Sequence, residues 1–253
     1  MAAQEIVGGQ LPARMLSLRT GGVCLLIGTL AFATARLLHG DTPAADAGAA
    51  LTFVAGRSTY AAVHLVAVLA ATTIAIGIMA LAGSLTRPSA WLLGRAGTTT
   101  AVIGTAIFGV ESTSEGLALP ELAPAAQAHP GQRADIVEVA RAVAAATHGP
   151  SLVAIALFIG ATLLLIGLSI RLEGYPAWLG IVGAIIGAVT LTAAVGLCTC
   201  GRRCSLEPCS TVSWPPSSRN FGLQPSALSC CAGPSAVPDR VPVRPSTGIK
   251  PTW

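Results

Sequence analysis

The chain has 253 residues, 53% of them hydrophobic and 10% charged, with a formal net charge of +4 and a mean hydropathy of +0.70. A water-exposed domain of this size carries about 25% charged residues, so composition excludes an ordinary soluble surface and makes a lipid bilayer the expected partner. Nine Arg balance nine Asp and Glu up to Cys198, and the excess positive charge lies beyond it. Neither part offers the folded basic face with interleaved aromatics that nucleic acid requires.

In chain order, Arg14 and Arg19 precede a first apolar run, 21–38. The small residues Ala31, Ala33 and Ala35 imitate a signal-peptidase site. Signal core regions span about 7–15 residues, so a retained first helix is expected. A second run covers 60–85 and a third 91–110. The segment 133–147 then repeats small or apolar residues at helical spacing (Ile136, Val139, Ala140, Val143, Ala144, Thr147). It predicts an amphipathic helix on the outer surface, or one leading through a bend at Pro150 into the fourth run, 151–170; simple extension of the fourth helix is the plainer alternative. A fifth run covers 177–198, where Gly180, Gly183 and Gly187 share a face suited to close helix packing within the bundle. Each run is about as long as a bilayer core is thick. The expectation is an all-α, polytopic transmembrane helix bundle of five spans, domain 1–198.

Loop charge orients it. Arg14, Arg19, Arg87, Arg95 and Arg171 flank one end, whereas Asp41, Asp46, Glu111, Glu115, Glu121, Asp135 and Glu138 dominate the loops at the other. Basic residues stay cytoplasmic, so the expected topology places the N-terminus in the cytoplasm and the acidic loops outside the plasma membrane.

From 199 to 253 apolar periodicity is lost. Six of seven Cys and nine of seventeen Pro fall from Cys198 onward, with Arg202 and Arg203 directly after the fifth run. The segment is expected to be an irregular tail. A disulfide-held module suits the cysteines. Their spacing does not match paired zinc ligands, and no His follows. The mixture of Arg, Pro, Ser, Cys and Gly, with basic residues on the wrong side, is best read as disordered or out-of-frame translation.

Chemistry-bearing residues gather at the helix ends on the acidic side. His39 closes the first run, His64 stands one turn inside the second, Glu115 follows the third with Glu111 four residues before it, and His148 opens the fourth. The expectation the pattern favours is interfacial: such groups satisfy one another, headgroups and helix termini. A zinc or copper site built from His39, His64, Glu115 and His148 is a second reading. A b-type haem held by His64 and His148 is a third, with few aromatics to line it. His129 is expected to be simply solvated. The span interiors hold no ionisable group of the sort that couples transport, and no Gly-x-Ser-x-Gly, His-Glu-x-x-His or phosphate loop is present. No catalytic residue is assigned. The expected function is therefore a non-enzymatic structural or small-solute transport role, with a haem- or metal-binding redox protein as the alternative.

The closures Leu37-Leu38-His39-Gly40 and Glu115-Gly116-Leu117-Ala118-Leu119-Pro120, the opening Ala62-Val63-His64-Leu65 and the Trp178-Leu179-Gly180 entry resemble a group of small uncharacterised multi-pass membrane proteins of actinobacteria and related high-GC bacteria. The resemblance covers about 15–198. It implies a six-helix bundle, of which the sixth apolar run is missing here, and it implies that His39, His64 and Glu115 belong together.

Overall fold

A computed structural model of the chain describes residues 2–43 and 46–206, with side chains described from 15 to 197 except 44–45. The chain divides into two units, Met1–Leu197 and Cys198–Trp253. Among the described residues all regular structure is helical: α1 (Ala2–His39), α2 (Ala47–Ala55), α3 (Tyr60–Gly83), α4 (Pro88–Ala128), a 3-10 turn (Pro130–Gln132), α5 (Arg133–Ala154), a π-helical segment (Ile155–Ala161), α6 (Thr162–Glu173) and α7 (Ala177–Leu206). α5, the π segment and α6 run on without a break as one long rod, named the fourth rod after the fourth apolar run that it contains.

Among the described residues, four stretches are long and apolar enough to cross a membrane: Met15–His39, Tyr60–Gly83, Pro130–Glu173 and Ala177–Leu197. The third predicted span, 91–110, is helical but is not among them. It carries Arg95 and Thr98–Thr100, and it packs between α3 and the α5–α6 rod. Its small residues Gly94, Gly97, Ala101 and Gly104 are buried against those neighbours, so it does not need an apolar surface all round. The outward faces of α1 and α7, by contrast, expose Leu26, Ile27, Leu30, Ile185 and Val189, apolar side chains that water does not stabilise.

Three departures from the sequence reading follow from packing. α4 does not stop near Val110 but continues through Pro120 and Pro124 to Ala128. Burying Leu119, Ala123 and Ala126 against Leu51 and Val54 of α2, Tyr60 and Ala140 offsets the hydrogen bonds the prolines remove. The segment 133–147 is the start of the long fourth rod, not a separate surface helix, and Pro150 does not interrupt it. The irregularity lies just after Pro150, in the π segment, where Thr162 Oγ1 donates to the Leu157 carbonyl at 2.8 Å and Phe158 lies over Gly104. Finally, helix persists to Leu206, eight residues beyond Cys198. The rest of the expected irregular tail, with its proposed disorder or frame shift, lies outside the described residues.

Of the threonines in α4, Thr99 donates to the Arg95 carbonyl, and Thr100 reaches the Gly97 carbonyl and Thr162 Oγ1. Thr98 and Thr105 find no partner. Gly180 and Gly187 of α7 lie against the Gly167 and Gly160 carbonyls of the fourth rod, the close approach their spacing predicts. At the Arg87 end, the Glu173 carboxylate accepts from Thr86 N–H, Arg87 N–H and Thr86 Oγ1 at 2.6–3.0 Å, while the Arg87 guanidinium donates to the Leu172 carbonyl at 2.8 Å. These bonds tie the α3–α4 and α6–α7 turns together. α2 and the projecting ends of α4 and α5 form a small apolar cap at the opposite, His39 end.

Candidate metal centre

α1 ends at His39 because Gly40 takes a left-handed conformation, φ +68°, which glycine adopts without strain. Two orphan carbonyls of the last turn, Leu38 and His39, accept from the Arg57 guanidinium at 2.9 Å each. A Cβ on Gly40 would stand 2.9 Å from that guanidinium. Arg36 donates to the Gly40 carbonyl at 3.2 Å and pairs with Asp41 at 3.6 Å. The end of α1 is thus held from both sides, and the His39 ring turns inward over α3.

There it meets two rings one helical turn apart. Tyr60, 2% exposed, and His64, 7% exposed, have ring centroids 4.6 Å apart. His39 lies 5.3 Å from Tyr60 and 4.8 Å from His64, the latter edge-on. Gly116 of α4 makes room for this: a Cβ there would stand 2.6 Å from His64 Cβ. Glu115, beside it, accepts from Tyr60 Oη at 3.0 Å. Donor atoms of His39, His64 and Glu115 consequently lie within 4.8 Å of one another, contributed by the end of α1, the start of α3 and the middle of α4.

Hydrogen bonding fixes what these rings offer. His64 Nδ1 lies 3.0 Å from the Tyr60 carbonyl and His39 Nδ1 lies 2.9 Å from the Gly40 carbonyl. A carbonyl only accepts, so each Nδ1 carries the proton and each Nε2 keeps its lone pair. The Arg36 contact to His39 Nδ1 is longer, 3.3 Å, and the same guanidinium nitrogen also donates to the Gly40 carbonyl. Nδ1–H on a backbone carbonyl and a carboxylate held by a hydroxyl are the outer-shell supports that orient ligands in metal sites.

A cleft of about 620 Å³ opens beside the cluster, lined at its polar end by Arg36, His39, His64, Glu111 and Glu115 and at its apolar end by Phe32, Phe108, Ile155 and Ile159. A smaller cavity of about 140 Å³ adjoins it through Thr42, Glu111, Glu115 and Ser151, and His148 lines that one. His148 is exposed and outside the triad; His129 is exposed at the α4 terminus.

Of the sequence candidates, three converge and His148 stands apart. One residue that matters here, Tyr60, carries no signal as a ligand, and another, Glu111, lies deeper than its spacing suggests. Tyr60 orients both His64 and Glu115, and its Tyr60-x3-His64 spacing on one helical face was the available signal. Glu111 was placed at a helix end, yet Gly116 sits at the level of His64, so Glu111 is more than a turn deeper in the bundle. One oxygen of its carboxylate is buried without a hydrogen-bond partner.

Comparison with protein-family models, with curated proteins and with solved structures gives no match. No family or taxon follows, and the resemblance to the actinobacterial group reduces to what the helices themselves show, a chain consistent with a multi-pass membrane protein.

Proposed function

We propose that this integral membrane protein binds a divalent transition-metal ion, zinc or copper, through His39 Nε2, His64 Nε2 and a Glu115 carboxylate oxygen. The observation that carries the reading is the convergence of three donor atoms from three helices within 4.8 Å, each donor group already oriented by a hydrogen bond of its own. Ligands on one tetrahedral ion stand roughly 3.4 Å apart, given metal–ligand bonds of about 2.0–2.2 Å. The donor atoms therefore stand at most about 1.4 Å farther apart than they would on one ion. Two histidines and one carboxylate leave a fourth position open for water or another ligand.

A bare ion suits this arrangement better than haem. Haem would need His64 and His148 on one iron, and His148 lines a different cavity and is exposed. The alternation of loop charge supports a cytoplasmic N-terminus and puts the metal centre at the outer face of the plasma membrane. The bundle then serves as a non-enzymatic holder of the ion beside a solute-sized cleft.

Metal analysis of the detergent-purified full chain tests this. About one zinc or copper per chain is expected, falling below a tenth of that in His39→Ala and His64→Ala. Equal metal content in wild type and both variants overturns the proposal.

A further inference from the structure

The large cleft has a chemistry of its own. Its polar end carries Arg36 against Asp41, Glu111 and Glu115, a net formal charge of two negative. Arg36 is engaged by Asp41 and the Gly40 carbonyl, and Glu115 by Tyr60 Oη. Glu111 remains, half-buried, with Ser151 hydrogen-bonding its carboxylate and one oxygen, Oε2, buried without a partner. A carboxylate partly withdrawn from water in a bundle is stabilised by a counter-charge. Below it the walls turn apolar, and two aromatic rings, Phe32 and Phe108, meet at 5.6 Å, a surface that attracts cations as well as hydrocarbon. From Ser151 to Ile159 the cleft follows the end of α5 and the π segment for about 12 Å of helix rise. Its volume falls in the range of about 300–1,000 Å³ typical of small-molecule sites, and one wall is the π segment, a distortion often found at functional sites.

Glu111 lines a third cavity of about 600 Å³ on the far side of α4, bounded by Val110, Thr113, Leu117, Val143 and Pro150. Val110 and Leu117 are 70% and 58% exposed there. This groove faces the surroundings of the bundle at the depth of the Glu111 carboxylate.

We propose that the cleft binds an amphiphilic organic cation, an ammonium or similar head carrying an apolar body, with the head at Glu111 and the body against Phe32, Phe108, Ile155 and Ile159. Anionic amphiphiles are excluded by Glu111 and Glu115, and uncharged ones leave Glu111 Oε2 without a counter-charge. The site is separate from the metal reading and does not rest on it. The two are linked electrostatically, however, because Glu111 and Glu115 are one helical turn, about 6 Å, apart. An ion on the His39–His64–Glu115 centre repels the cation, so each weakens the other.

The test uses the full chain in lipid nanodiscs with EDTA, and measures calorimetric binding of decyltrimethylammonium, decan-1-ol and decanoate against empty nanodiscs. Saturable one-site binding of the cation is expected, at least tenfold tighter than the alcohol, with none for decanoate. Glu111→Gln lowers cation affinity at least tenfold and leaves the alcohol unchanged. Ala67→Phe, which fills the cleft below His64, weakens every decyl ligand. Repeating the titration with zinc lowers cation affinity. Decanoate binding as tightly as the cation overturns the proposal, and so does unchanged cation affinity in a Glu111→Gln variant whose helix content and elution match wild type. Cation binding that persists in a protein unable to hold metal leaves this inference standing and removes the metal reading.

Discussion

Substituting alanine at Gly116 places a methyl carbon 2.6 Å from His64 Cβ and 2.7 Å from His64 Cγ. Carbon atoms settle at about 3.5–4.0 Å, so α3 and α4 must part locally, or the imidazole must move, by about 1 Å. Overpacking of this kind costs about 1–3 kcal/mol. The effect on the metal centre is sharper, because metal–ligand distances tolerate only about ±0.2 Å. Metal affinity is expected to fall about 10- to 100-fold, the range seen when orienting groups are lost, while the helical content stays at the wild-type level. Competition against a chromophoric chelator measures the affinity, and thermal unfolding followed by circular dichroism measures the stability. Gly149→Ala is the matched control, since a Cβ there meets nothing within 4 Å. Wild-type metal affinity in Gly116→Ala would refute the claim that the close α3–α4 contact positions His64.

Other expectations are checked in the same preparations. Tyr60→Phe removes the hydroxyl that holds Glu115 and should lower metal affinity about tenfold without changing the elution profile. Gly187→Val drives a branched side chain into the Gly160 carbonyl and Leu164 and should destabilise the α7 packing by about 1–3 kcal/mol or more, read from the midpoint of thermal unfolding. Glu173→Ala removes an acceptor shared by three donors at the Arg87 end. After solvent screening this should cost about 1–2 kcal/mol, read from the same midpoint. For orientation, a cysteine at Asp46 should react with an impermeant maleimide added to intact cells and one at Arg87 should not; the reverse pattern contradicts the cytoplasmic N-terminus.

Apolar runs of bilayer length made the helices legible, because the signal is carried by every residue in the run. The grouping of His39, His64 and Glu115 was legible as well, since antiparallel neighbours bring the end of α1, the start of α3 and the far part of α4 to one level. The extent of α4 was not. Glu111, Glu115, Pro120 and Pro124 read locally as the start of a loop, and only burial of Leu119, Ala123 and Ala126 under α2 keeps that stretch helical. α2 itself is nine residues long, too short for periodicity to stand out, although Asp46 caps it by accepting from Gly48 and Ala49 N–H. His148 was grouped with the ligands by its position near a predicted span end. The phase of the uninterrupted fourth rod decides otherwise and leaves its side chain exposed. Helical phase across a proline and a π segment is a tertiary property, invisible to spacing along the chain.

X-ray absorption at the zinc edge of the full chain, loaded with one equivalent of zinc in nanodiscs, tests the metal centre most directly. The expected spectrum fits two imidazole nitrogens at about 2.0–2.1 Å and carboxylate or water oxygen at about 2.0–2.2 Å, with one imidazole lost in either His39→Ala or His64→Ala. A first shell of oxygen alone, or a spectrum that neither substitution changes, would contradict it.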